Sequence, residues 1–144
     1  MATRAGIGIL QEDGTIKAIY LHNDGYISHT GTILANHYNS MERIEALLDL
    51  GNLSSIGEIL EPNEKFPHSF FNRQACVVYA YHRDRGEDLR PARLYKDKED
   101  YQTTGKSDFW ADYLYLFANG EWQFFGPQSK DQWFNLRLEI EKQK

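Results

Sequence analysis

Apolar and polar positions alternate along "TRAGIGILQEDGTIKAIYLH". Ile7 and Ile9 are interleaved with glycines, and Ile16, Ala18 and Tyr20 with Lys17, Ile19 and Leu21. "EDG" between the runs is the Asp-Gly signal of a tight turn, so the segment predicts a β-hairpin. Gly6 and Gly8 inside the first strand predict a bulge or a close neighbour. The period then changes. Thr32–His37 and Ser40–Leu50 fit two helical pieces, the second with Ser40 as N-cap, Ile44, Leu47 and Leu48 on one face, and Gly51 as its stop. "NLSSIGEILEPNEKFPHSFFNRQ", punctuated by Gly57, Pro62 and Pro67, predicts loop with one short helix or strand.

"ACVVYAYHR" is rich in β-branched and aromatic residues and predicts a central strand, and "ARLYKD" an edge strand. "DYLYLFANGEWQFFG" predicts a second hairpin, because Asn119-Gly120 suits a type I′ turn. "SKDQWFNLRLEIEKQK" predicts a closing helix with Ser129 as cap and Trp133, Leu136 and Ile140 along one stripe. The order implies a single domain over 1–144 of the α+β class: a mainly antiparallel sheet built from two hairpins and a central strand, with helices packed on one face. The uncovered face is then a contact patch.

Charge and composition narrow the function classes. The chain has 144 residues, a net charge of −5 and 14% aromatic residues. An acidic chain lacks the surplus of lysine and arginine that displaces counterions from nucleic acid, so direct nucleic-acid binding is not expected. A small molecule or a protein partner is compatible with it. The single cysteine, Cys76, excludes an internal disulfide, suits a reducing compartment, and reads as a core residue in "ACVVYAYH". No stretch reaches membrane-spanning length and no signal pattern opens the chain, so a cytoplasmic location is expected. Nothing in the sequence calls for a cofactor, and the oligomeric state is left open.

Three polar or aromatic clusters offer chemistry. "AIYLHNDGYISHTG" contains His22 and Asp24 at a strand end. Asp24 there orients His22 as a general base, or both share a metal with His29 or His37 folding back. The alternative is an Asx turn beside a strand-end histidine. "YAYHRDRGED" places His82, Arg83 and Arg85 after an apolar strand. If that strand lies beside the second one, His82 approaches His22 and the two guanidiniums grip an anion, with Tyr26 as a stacking ring. The alternative is a solvated turn with local ion pairs. Phe109, Trp110, Trp122 and Phe125 are either core or protein-contact residues, and they form the contact patch if one sheet face is bare.

The blocks "TRAGIGIL", "EDGTIKAIY", "H-x-D-G-Y", "HTGTILANHY", "YHRDRGE" and "DFWADYLYLFANGEW" together resemble a group of short uncharacterised proteins of phages, prophages and plasmids. Ile27 follows Tyr26 where that group tends to have proline. The resemblance implies an accessory protein that acts by binding, an inhibitor of a host defence protein above all. Two alternatives remain: capture of a small nucleotide signal, and a metal-assisted or acid–base hydrolase using His22, Asp24 and His82.

Overall fold

The first hairpin forms as the alternation predicts. In the computed structural model, which describes residues 3–69, 72–127, 129–130 and 132–143, β1 (Ala5–Leu10) runs antiparallel to β2 (Ile16–Leu21). Gly14 takes φ +90 in the turn, and the Asp13 carboxylate accepts from the Thr15 amide at 3.0 Å. The second predicted hairpin is β6 (Tyr113–Ala118) with β7 (Glu121–Phe125). Asn119 and Gly120 have φ 54 and 80, the two positive values a type I′ turn needs.

These hairpins meet through their first strands. β1 and β6 pair in parallel, Ile7 opposite Tyr115, at the centre of an eight-stranded sheet. Beyond β2 come β3 (Leu53–Ser55) and the two-residue β4 (Tyr79–Ala80), and beyond β7 comes β8 (Phe134–Asn135). β5 (Arg93–Tyr95) lies along the half of β2 that β3 does not reach. The sheet is therefore mixed, with β1–β6 and β2–β3 parallel among antiparallel neighbours.

One face of the sheet packs Ile7, Ile9, Ile19, Tyr115 and Phe124 against three helices: α1 (Thr32–His37), α2 (Met41–Asp49) and, at the chain's end, the helix Leu136–Lys142. A wide helical turn, Ile27–Gly31, leads into α1, and the Ser40 hydroxyl caps α2 by accepting from the Arg43 amide at 3.2 Å. Ile44, Leu47 and Leu48 are buried, as their spacing predicts. Two buried polar groups tie this layer together. The Tyr38 hydroxyl donates to the Gly57 carbonyl at 2.8 Å, and the Trp122 indole donates to the Tyr38 carbonyl at 2.8 Å.

The opposite face is not bare, contrary to the expectation of helices on one side. After β5, the chain crosses it through α4 (Lys98–Asp100), a second wide turn (Tyr101–Gly105) and α5 (Lys106–Phe109). Tyr95, Tyr101 and Phe109 pack there on Leu114, Leu116 and Phe125. Gly6 makes room for them, since a Cβ on it would stand 2.8 Å from the Tyr101 hydroxyl and 2.9 Å from Phe109. That hydroxyl donates to the Tyr115 carbonyl at 3.0 Å. The segment "KEDYQTTGKSDF" is mostly polar, which is why its two aromatic anchors, eight residues apart, did not read as a layer.

Two more expectations change. The strand predicted in "ACVVYAYHR" contributes only Tyr79–Ala80, at one end of the sheet, because the Asp84 carboxylate accepts from the Ala80 amide at 2.8 Å and the chain winds at once into the short helix Tyr81–Arg85, α3 here. Cys76 has φ +63 and is exposed, not core. The closing helix is α6, Leu136–Lys142, and is shorter than predicted. Asn135 caps it by accepting from the Leu138 amide at 3.0 Å, while Ser129 instead accepts from the Gly126 amide at 2.9 Å in the turn after β7. Trp133 accordingly packs on the second face, away from Leu136 and Ile140. Asp131 and Lys144 of the predicted helix, and Phe70 and Phe71 of the predicted loop, lie outside the described residues.

Candidate functional site

The segment around His22 is a tied corner. His22 and Asn23 donate their amides to Leu53 and Ser54 at 3.0 and 2.9 Å, extending the β2–β3 pairing. Asp24 has φ +57, its carbonyl accepts from the Thr30 hydroxyl at 2.6 Å, and the Gly25 carbonyl accepts from Tyr115 at 2.7 Å. His22 Nδ1 is 2.7 Å from the Tyr20 hydroxyl. Asp24 instead lines a cleft of about 460 Å³ with His29, Arg73 and Cys76, floored by Ile33, Ile56 and Val77. Tyr26 is exposed beside His29. His37 pairs with Glu58 at 3.3 Å. Among the described residues, no three His, Cys, Asp or Glu side chains are grouped to hold a metal ion.

His82 does not approach His22: β3 separates β4 from β2, and His82 Nδ1 lies 2.8 Å from the Glu87 carbonyl. Arg83 is not open to an anion either. Its Nε and one terminal nitrogen reach the two oxygens of Asp84 at 2.8 and 3.0 Å, and its terminal nitrogens also donate to the Leu60 and Val78 carbonyls at 2.8 Å. Arg85 pairs with Glu87 at 3.0 Å. Arg83 is therefore a structural brace, and Arg85 makes a local ion pair of the kind the alternative reading names.

That brace includes a residue the sequence did not single out. His68 Nδ1 accepts from the Gln74 amide at 2.9 Å, which puts its proton on Nε2, 3.2 Å from the Val78 carbonyl and 3.5 Å from Asp84. The His68 and Asp84 side chains are only 3% and 4% exposed. The Gln74 side chain in turn donates to the Asn63 and Phe66 carbonyls at 3.0 Å, so Gln74 ties Asn63, Phe66 and His68 together, and His68 links them to Val78 just before β4. Nearby lies the buried Tyr79 hydroxyl, which has no hydrogen-bond partner among the described residues, while Arg73 covers its ring at 4.1 Å.

The four expected contact aromatics divide sharply. Phe109, Trp122 and Phe125 are buried in the two core layers, so they offer no patch. Trp110 is 76% exposed. It follows α5 at the position where a helix ends on a left-handed residue, with φ 50 and ψ 42, and its amide and that of Ala111 close back on Ser107 and Lys106. Glycine is the usual residue there, because a Cβ in this conformation costs about 1–2 kcal/mol.

The parallel β1–β6 register then sets Arg4 beside Trp110. Continuing it backwards from the Ala5–Tyr113 pair, the Arg4 carbonyl accepts from the Asp112 amide at 2.8 Å, and its guanidinium lies 5.8 Å from the Trp110 ring centre. Arg4 Nε donates to the Tyr20 hydroxyl at 3.0 Å, making the chain Arg4–Tyr20–His22. Burial of the Tyr20 hydroxyl raises its pKa, against the pull of Arg4. Arg93, Asn52 and Asp108 complete a groove of about 310 Å³ around these residues. Asp108 accepts from the Tyr95 hydroxyl at 3.0 Å and faces Arg93 at 3.4 Å. Burial, then the bond to Asp108, pushes the Tyr95 hydroxyl far above its ordinary range.

Arg4, Tyr20, Asn52 and Arg93 were absent from the sequence-based candidates because strand order alone brings them together. The one available signal was Trp110 itself, a large aromatic preceding a strand. No family model matches the chain, and no curated protein or solved structure matches it either.

Proposed function

We propose that this protein acts by binding, with Trp110 at the centre of its contact surface, and that its target is a component of a host defence system. The observation that carries the reading is Trp110: an indole left in water, in a backbone conformation that glycine would adopt at lower cost. Neither burial nor helix termination accounts for the choice of tryptophan. Exposed tryptophan and arginine are the residues that most often supply binding energy at contact surfaces, and Arg4 and Arg93 flank this one.

Binding is favoured over hydrolysis because the three residues of the hydrolase reading have different surroundings. His22 bonds Tyr20, His82 bonds the Glu87 carbonyl, and Asp24 lines the cleft with neither of them. The defence context comes from the resemblance to phage and plasmid accessory proteins, and an inhibitor of a host defence protein is its leading form. The test is affinity capture from host lysate with native mass measurement. The expected result is a stoichiometric companion that the wild-type chain retains, that Trp110→Ala loses, and that the double change His22→Ala, Asp24→Ala leaves in place. Loss of the companion with the second variant and not the first would return the function to the histidine corner.

A further inference from the structure

We infer that the groove beside Trp110 is a site for a nucleoside 5′-phosphate, an inference that rests on reading the Trp110 surface as a contact surface. The groove is polarised against the rest of the molecule. The chain carries a net charge of −5, yet two guanidiniums, those of Arg4 and Arg93, line this groove with one carboxylate, that of Asp108. Asp108 is already engaged by the Tyr95 hydroxyl and by Arg93. Trp110 also lines a second hollow together with Lys106 and Lys130, which adds two more cationic side chains to its surroundings. The other nearby carboxylate, Asp112, lies 3.4 Å from the Arg4 backbone amide.

The donors left over match the parts of a nucleotide. Arg4 uses its Nε on Tyr20, and its terminal nitrogens make no hydrogen bond to a described residue, which leaves a planar fork for two phosphate oxygens. Tyr20 and His22 brace that guanidinium from behind. The Asn52 side-chain oxygen accepts from the Tyr20 amide at 3.3 Å, which directs the oxygen inward and leaves the NH₂ as a donor for a base edge or a ribose hydroxyl. Trp110 supplies an indole that is 76% exposed, with the Arg4 guanidinium 5.8 Å from its centre, and an exposed aromatic ring of this kind is a platform on which a base stacks. A groove of about 310 Å³ is at the small end for ligand sites and suits a single nucleotide unit. A phosphate alone would leave the indole without a role, and an apolar ligand would leave the guanidiniums without one.

The experiment is a tryptophan-emission titration, confirmed by calorimetry, using the four nucleoside 5′-monophosphates, adenosine and inorganic phosphate as separate probes. Trp122 is buried and the Trp133 indole is tied to Gln102 at 3.0 Å, so ligand-dependent quenching reports on Trp110. The expected result is saturable quenching by at least one monophosphate, with adenosine and phosphate each at least about tenfold weaker, equal to about 1.4 kcal/mol. Arg4→Gln and Trp110→Ala are each expected to weaken the calorimetric affinity at least about tenfold with the melting temperature nearly unchanged. Three outcomes would overturn the inference: no saturable response by about 10 mM, at the weak end of specific recognition; binding undiminished in both variants; or phosphate alone binding as tightly as the nucleotides. If the titration fails while Trp110→Ala still loses the captured companion, the contact surface stands and its ligand is a protein. If both fail, the contact surface falls as well.

Discussion

Arg83 and Arg4 are both half-buried, and they have opposite surroundings. Around Arg83 the donors are committed, to Asp84 and to the Leu60 and Val78 carbonyls, and Asp84 in turn holds the Ala80 amide and faces His68. Around Arg4 only Nε is committed among the described residues, and the neighbouring tryptophan is in solvent. Charge with its valences filled by its own fold holds segments together. On the proposed reading, charge presented with valences to spare, on a strained scaffold, is arranged for something outside the chain. Sequence offered "YHRDRGED" as a candidate cluster and did not single out Arg4, and on the proposed reading their roles are reversed.

The largest expected effect tests the closed end of this comparison. Asp84→Ala strips Arg83 and the Ala80 amide of their acceptor at a site that is 4% exposed. Breaking one partner out of such a buried pair costs about 3–5 kcal/mol. Urea denaturation is expected to show that loss, with protease cutting first in the 61–74 loop that His68 and Gln74 lace down. Arg4→Ala in the same assay is expected to cost under about 1 kcal/mol, because its partners are half-exposed. Equal losses from Asp84→Ala and Arg4→Ala would break the comparison.

A second effect concerns what lies under the groove. Gly6→Ala places a Cβ 2.8 Å from the Tyr101 hydroxyl and 2.9 Å from Leu114 and Phe109. Overpacking of this kind costs about 1–3 kcal/mol. Gly8→Ala is expected to cost less, because its nearest contacts are 3.1 and 3.2 Å. Because Phe109 adjoins Trp110, Gly6→Ala is also expected to weaken binding at the groove, which a melting curve paired with the titration would show.

These residues also mark how far the sequence was legible. Both hairpins, α1, α2 and the edge strand β5 follow from period, caps and turn residues within about 20 positions of one another, and they stand as read. The parallel β1–β6 pair joins residues more than 100 apart with no local signature, and it determines both the second covered face and the meeting of Arg4 with Trp110. Composition misled at "ACVVYA", where β-propensity was overruled by Asp84 capturing the Ala80 amide. Phe109 and Trp110 are adjacent in sequence, yet one is buried and the other exposed, because the chain turns left-handed between α5 and β6.

A third effect is read from pH. Burial raises the Tyr38 hydroxyl to about 12 and holds those of Tyr101 and Tyr115 well above the ordinary tyrosine value. In the unfolded chain these groups titrate near 10. Above that pH the unfolded state releases protons that the folded state keeps, so unfolding becomes more favourable as pH rises. The stabilisation is complete below about pH 10 and is lost above it, with a limiting slope of about 1.4 kcal/mol per pH unit for each such tyrosine. Denaturation series from pH 8 to 11, about the unfolded value, are expected to show the decline, and Tyr101→Phe to flatten it. No decline would mean the tyrosines are not sealed from water.

The smallest effect on stability bears most directly on the open end. Trp110→Gly removes a Cβ from a left-handed position and little packing, since the ring is 76% exposed. Relief of the backbone strain is worth about 1–2 kcal/mol, and glycine's extra freedom in the unfolded chain returns about 1 kcal/mol of it. The net expectation is a stability equal to wild type or up to about 1 kcal/mol higher, alongside loss of binding. Trp110→Ala keeps the strain and removes the ring, so the difference between the two variants isolates the backbone contribution. If glycine instead destabilises by as much as alanine does, the indole's contact with Arg4 supports the fold, and Trp110 belongs with Arg83 on the structural side of the comparison. A more stable chain that no longer binds would identify the strain as the cost of holding the indole where a partner can reach it.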